Sequence, residues 1–380
     1  MNRPGFVFDA SIRGVYVLVL CVWFLFGGMI ASAQDTATIA RLDATSKVEV
    51  VFPQGLAISA DLSWSGLDSS HDLELLYTVA GDPTSTLVFV PFLEPVDGGS
   101  AHVEAAVNLQ AQGIPAGVAI DFRWRVVNDG LVLAESAPQR TMWFDDRWDW
   151  SLIETDQVRV HSYDISEDHA QEILDSAQAT VTDLEKRFEL GTSAPLDLWI
   201  YPNTEDFRGA QQPNSRESIA GASFPGYFLI VAIIPEDNPN EIGRVILHEV
   251  SHQVLYQATH NPFTSPPLWF DEGLATHFQE GGTDGYMEMV VRAQERDELF
   301  SLDSLEVSFP YQPAQATLAY ATSWSAVEYI RVTFGDEGIA SLIRAFGEGE
   351  SYDDAIQAAL GISAAQLNDD WTAWVAGKDA

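Results

Sequence analysis

At 380 residues the chain is long enough for more than one apolar core, and 46% of its residues are hydrophobic. Its 56 acidic against 19 basic residues give a formal charge of −37, which excludes nucleic acid and anionic membrane surfaces as partners of the folded body. The single cysteine, Cys21, excludes a disulfide framework and, lying in a removable leader, thiol catalysis by the mature chain.

Residues 1–33 read as a signal peptide: Arg3 and Arg13 precede an apolar run over 15–30, and Ala31-Ser32-Ala33 offers small residues for cleavage. The expectation is a secreted or otherwise extracytoplasmic protein. The alternative is an uncleaved membrane anchor, because the run approaches the roughly 18 residues that a spanning helix needs. Lysine occurs only at Lys47, Lys186 and Lys378, and the acidic residues are spread rather than clustered, which predicts a strongly hydrated surface.

Residues 34–145 predict an all-β domain, with short apolar runs at 48–52, 73–77, 87–90, 103–109, 119–127 and 141–144. Turn signals such as Pro53-Gln54-Gly55, Gly81-Asp82-Pro83 and Asn128-Asp129-Gly130 separate them, the pattern of an antiparallel immunoglobulin or fibronectin-III-like sandwich. Trp64, Tyr77 and Trp124 are read as core. The stretch 143–150 carries too many aromatic rings for a free linker and is predicted to dock the sandwich onto the next domain.

The second domain, 146–380, opens as α+β: a strand over 157–163, an amphipathic helix over 167–188, a strand over 196–201, a short helix or turn at 204–209 and a strand over 227–234. A helix capped by Asn240 follows, and Ile242, Val245, Ile246, Leu247, Val250, Val254 and Leu255 make it apolar almost all round. Such a helix is buried, so its His248, Glu249 and His252 need a reason.

Metal binding supplies one. Histidines four apart present both imidazoles from one helix face, while Glu249 beside the first is placed to take a proton from water rather than to bind the metal. A catalytic zinc ion needs a third protein ligand and an open position. Glu272, with 19 residues intervening after His252, allows the helix to end, the chain to reverse and a second helix to bring its first turn to the site.

The pair HEVSH (248–252) and WFDEGLA (269–275) resembles the gluzincin peptidases of the Peptidase MA group, which include thermolysin-like and aminopeptidase-N-like enzymes. In that family a helix with HExxH precedes one that begins W-L-x-E-G-x-A, whose glutamate is the third zinc ligand, so the resemblance implies Glu272 here. The metzincin pattern fails, since it needs Gly at 255 and His at 258, where this chain has Leu255 and Ala258. The resemblance runs over 148–374, with two departures. The G-x-M-E-N motif of true aminopeptidases is absent, and His277 stands where relatives often carry Tyr. In gluzincins the strand before the metal helix is commonly the sheet edge that pairs with an extended peptide, which implies substrate contacts within 226–231, by Tyr227, Leu229 and Val231; the equal alternative is an ordinary core strand.

Beyond Glu272 the chain predicts helices over 286–299, 315–334, 337–346, 351–360 and 363–375. Amide hydrolysis needs a donor for the developing oxyanion, and Tyr320 is the candidate, with Tyr311 and His277 behind it. The combined expectation is a secreted zinc metallopeptidase acting on a peptide or protein. Two rival readings are an extracytoplasmic binding or adhesion protein on a peptidase-like scaffold and a zinc hydrolase acting on a non-peptide amide.

Overall fold

The computed structural model describes residues 41–65, 72–80, 85–90, 99–128, 130–208 and 220–378, so the leader expected at 1–33 lies outside it. The first eight strands are β1 (Arg41–Val51), β2 (Gly55–Ser65), β3 (Asp72–Val79), β4 (Ser85–Val90), β5 (Ser100–Asn108), β6 (Val118–Asn128), β7 (Leu131–Glu135) and β8 (Gln139–Trp143). They form two antiparallel sheets, ordered β1-β2-β5 and β4-β3-β6-β7, with β8 also paired to β6. Alternation decides what lies inside: Leu56, Ile58, Ala60 and Leu62 of β2 meet Leu73, Leu75 and Tyr77 of β3 in one core.

A third sheet follows. β9 (Ser151–Glu154), β10 (Val158–Ser162), β11 (Leu196–Tyr201), β12 (Gly221–Phe224) and β13 (Leu229–Ile233) stand in the order β12-β13-β11-β10-β9. β10, β11 and β13 are parallel, and the two edge strands are antiparallel to them. α1 (Glu167–Phe188) crosses from β10 to β11, capped by Ser166, whose hydroxyl accepts from the His169 N–H. The short helix α2 (Thr204–Arg208) lies after β11.

Both faces of this sheet are covered, which is why β13 is apolar at every position. Ile230 and Ala232 of β13 join Leu196, Leu198 and Ile200 of β11 in the helical core. Leu229, Val231, Ile233, Trp199 and Tyr201 point the other way and belong to the same cluster as the core of the first two sheets. The aromatic stretch after β8 fills that seam: Trp148 stacks on Tyr163 at 4.8 Å, and Trp150 meets Trp199 edge-on at 4.8 Å. All described residues belong to one compact unit, and its apolar packing crosses residue 145 without a break.

From there the elements are helical: a π-helical turn at Ile242–Ile246, then α3 (Leu247–Thr259), α4 (Leu268–Phe278), α5 (Tyr286–Glu295), α6 (Pro313–Gly347), α7 (Tyr352–Leu360) and α8 (Ala364–Ala376). Asn240 does not cap this run but is its first helical residue, because the Ile242 N–H already bonds the Pro239 carbonyl. α6 is two helices joined at Gly335, which turns the backbone at φ 72°, as a glycine can without strain. Among the described residues no helix is long and apolar enough to cross a membrane.

Candidate metal centre

α3 and α4 are held side by side, and three side chains converge between them. His248 Nε2 lies 3.2 Å from His252 Nε2, and Glu272 Oε2 lies 3.4 Å from the first and 3.5 Å from the second. Zinc–ligand bonds of about 2.0–2.2 Å at tetrahedral angles separate ligand atoms by about 3.3–3.6 Å, so this triangle has the size of three corners of a zinc tetrahedron. Among the described residues it is the one group of three or more His, Cys, Asp or Glu side chains able to hold a metal ion. Glu272 Oε2 is buried with no hydrogen-bond partner, a state a bound cation would relieve.

The outer nitrogens are fixed. His252 Nδ1 lies 2.7 Å from Asp271 Oδ1, and His248 Nδ1 lies 3.0 Å from Gln279 Oε1. Acceptors there hold the ring protons on Nδ1 and leave both Nε2 lone pairs facing inward, the tautomer a metal ligand requires. Asp271 ends the first turn of α4 and Glu272 follows it, so adjacent residues orient one candidate ligand and supply another. Gln279 follows the last turn, where the Glu280 N–H bonds the Gly243 carbonyl of the π-helical turn at 2.9 Å.

Charge tells the same story. Burial alone would lower the His252 pKa, yet the Asp271 and Glu272 carboxylates drive it well above the ordinary value. Burial likewise works against ionised Glu272, but the two imidazoles pull its carboxyl far below the usual range. Two carboxylates, Asp271 and Glu272, thus crowd the two imidazoles, an arrangement whose charge a divalent cation would balance.

Glu249 lies against Gly221 of the edge strand. Burial raises its carboxyl pKa, partly offset by His248 and His252. A Cβ built on Gly221 would come within 3.1 Å of Glu249 Oε1 and 2.6 Å of Val245, so only a glycine lets the edge strand lie this close. The His248, His252 and Glu272 side chains keep 12–16% of their surface exposed.

Tyr320 is at the site, its hydroxyl 3.5 Å from Glu272 Oε1, the oxygen turned away from the histidines. Gly273 makes this possible, since a Cβ there would stand 2.5 Å from the Ser323 carbonyl and force α6 away from α4. The two residues behind Tyr320 are elsewhere. Tyr311 is 79% exposed, and His277, five residues along α4 from Glu272 and so on another face, has Glu328 as its ion-pair partner at 3.8 Å.

The substrate strand needs correction. Leu229 and Val231 lie in β13, which has β12 on one side and β11 on the other, and their side chains are buried in the β core. They have no free edge to offer a peptide. Tyr227 belongs to the turn Pro225–Tyr227 between β12 and β13. The edge strand is β12, four residues too short and too mixed in composition to stand out as a strand. Asp271 and Gln279 were also not singled out: Asp271 is legible beside Glu272, whereas nothing local marks Gln279.

Two histidines and a glutamate from consecutive helices, with a second glutamate next to the first histidine in the chain, form a cluster compatible with a bound metal ion and follow the gluzincin pattern. A family model described as the Peptidase MA superfamily matches residues 176–377, more than half of the chain, and the chain belongs to that superfamily. The comparison with curated proteins gives no match. Among solved structures, an aminopeptidase N family protein from Idiomarina loihiensis is similar at 11% identity and a TM-score of 0.42, over 87% of this chain and 75% of that one. An M1 zinc metallopeptidase from Deinococcus radiodurans, bound to a Tyr-Ser-Ala substrate, is similar at 13% identity and a TM-score of 0.37, over 90% and 94%. Neither likeness is close enough to bear weight, and the assignment rests on the family match and the site.

Proposed function

We propose that the protein is a secreted zinc metallopeptidase, its zinc held by His248, His252 and Glu272. The observation that carries this reading is the ligand triangle with Glu249 beside it and a sheet edge, β12, alongside. Bound zinc would supply a Lewis acid and lower the pKa of water toward about 7. Glu249 takes the proton of the attacking water and passes it to the leaving amine. The Tyr320 hydroxyl donates to the developing oxyanion. An extended peptide adding to the outer edge of β12 passes Gly221 and so meets Glu249.

In this reading residues 1–33 are a cleaved leader, 34–145 an immunoglobulin or fibronectin-III-like module and 146–380 the catalytic domain. The partner is a peptide or protein, and the charge of −37 argues against nucleic acid. The complete ligand set speaks against a binding protein on a disused scaffold. Elemental analysis of the dialysed mature protein beside Glu272→Ala tests the centre: about one zinc per chain, much weakened in the variant, is the expected result. A wild type that stays free of zinc after reconstitution would sink the proposal. Cleavage of fluorescein-labelled casein, lost in Glu249→Gln, tests the reaction.

A further inference from the structure

Gln253 follows the second metal ligand but faces away from the metal. Its side chain is fully buried, and Nε2 donates to two acceptors at 2.8 Å each, the Ser223 hydroxyl on β12 and the Leu229 carbonyl on β13. Ser223 in turn reaches the Glu249 carbonyl at 3.5 Å. The Gln253 oxygen, Oε1, is buried without a partner. An apolar side chain of the same size would avoid that loss, so the bonds of Nε2 are what offset it.

The spacing gives the arrangement its meaning. Gly221 lies against Glu249 and Ser223 against Gln253. Two strand residues span about 6.8 Å and four helix residues about 6 Å, so strand and helix run side by side in step. The apolar contacts between the sheet and α3 are non-directional and permit sliding. β12 has four residues and pairs on one side only among the described residues, so its own ladder holds it weakly.

We infer that Gln253 is a positioning residue that locks the substrate-binding edge strand in register with the metal helix, so that a peptide paired to β12 presents its scissile bond at Glu249. The inference rests on the peptidase reading above. It assigns Gln253 to substrate alignment rather than to metal binding or to the chemical step.

The test compares the zinc-loaded wild type with Gln253→Met, which keeps the volume but cannot donate, and with Ser223→Ala, which removes one acceptor and keeps the fold if the first variant fails to. Zinc content, amide hydrogen exchange in fragments covering 221–224, and kinetics on a quenched-fluorescent peptide chosen from a random library are measured. Expected for Gln253→Met are unchanged zinc, exchange and KM both raised about tenfold, and kcat within about twofold; Ser223→Ala shifts the same way by less. Unchanged exchange, loss of zinc, or a fall in kcat at constant KM would overturn the assignment. If the zinc-loaded wild type cleaves no peptide, the peptidase reading fails, and the exchange data alone decide whether Gln253 fixes the strand.

Discussion

Carboxylates are held on opposite principles in two regions of the molecule. At the seam between the β core and the third sheet, Asp145 is fully buried and carries its own cation: Arg147 donates to its two oxygens at 2.8 and 2.6 Å, and the Tyr201 hydroxyl adds a third bond at 3.0 Å. Between α3 and α4, Glu249, Asp271 and Glu272 gather around two imidazoles, and no Arg or Lys pairs with them among the described residues. The first cluster is complete as folded and braces the molecule. The second has no such partner among its described neighbours, and a bound cation would supply one.

The largest effect should come from Glu249→Gln, which keeps the shape and removes the base. Turnover of labelled casein should fall about 10²–10⁴-fold while zinc content stays the same, separating chemistry from metal binding. At the seam, Asp145→Ala should cost about 2–3 kcal/mol in chemical denaturation without touching zinc stoichiometry, less than a fully buried pair because Arg147 remains 40% exposed. Loss of zinc in that variant would mean the two clusters are not independent. Asp271→Asn keeps an acceptor for His252 but drops its charge, and zinc affinity measured by chelator competition should weaken about 10–100-fold.

The smallest effect concerns pH and neither cluster. Burial alone would raise the Glu185 carboxyl, but the Gln157 amide and the Thr192 N–H and hydroxyl hold it below the ordinary value. A depressed folded pKa adds stability above the unfolded value of about 4.3, lost as pH falls through the folded value. Glu185→Gln should therefore lower stability slightly at neutral pH, flatten the acid limb of the profile and leave stability below the folded value nearly unchanged. A steeper limb in the variant would reverse the assignment.

Much of the chain could be read in advance because the signal was local. α1 was bounded by its cap and apolar stripe, and β11 by its apolar run. β2 alternates Leu56, Ile58, Ala60, Leu62 and Trp64, but Ala and Ser between them dilute the pattern and the strand was passed over. β9 and β12 have four residues each, of mixed polarity and without an apolar run to mark them. β13 showed its apolar run, yet an apolar run cannot say which neighbours flank it.

The candidate ligands were legible in the chain alone, because a helix turns four residues into one face, and HEVSH with the glutamate of WFDEGLA carries that geometry in its spacing. Apolar residues at both parities of β11 and β13 likewise mark two strands covered on both faces. Only the tertiary structure decided which strand is the sheet edge, that Gln279 and Asp271 orient the histidines, that Gly273 brings Tyr320 to Glu272, and that Gln253 ties β12 to α3. These depend on contacts between segments distant in the chain, which packing sets and no local spacing encodes.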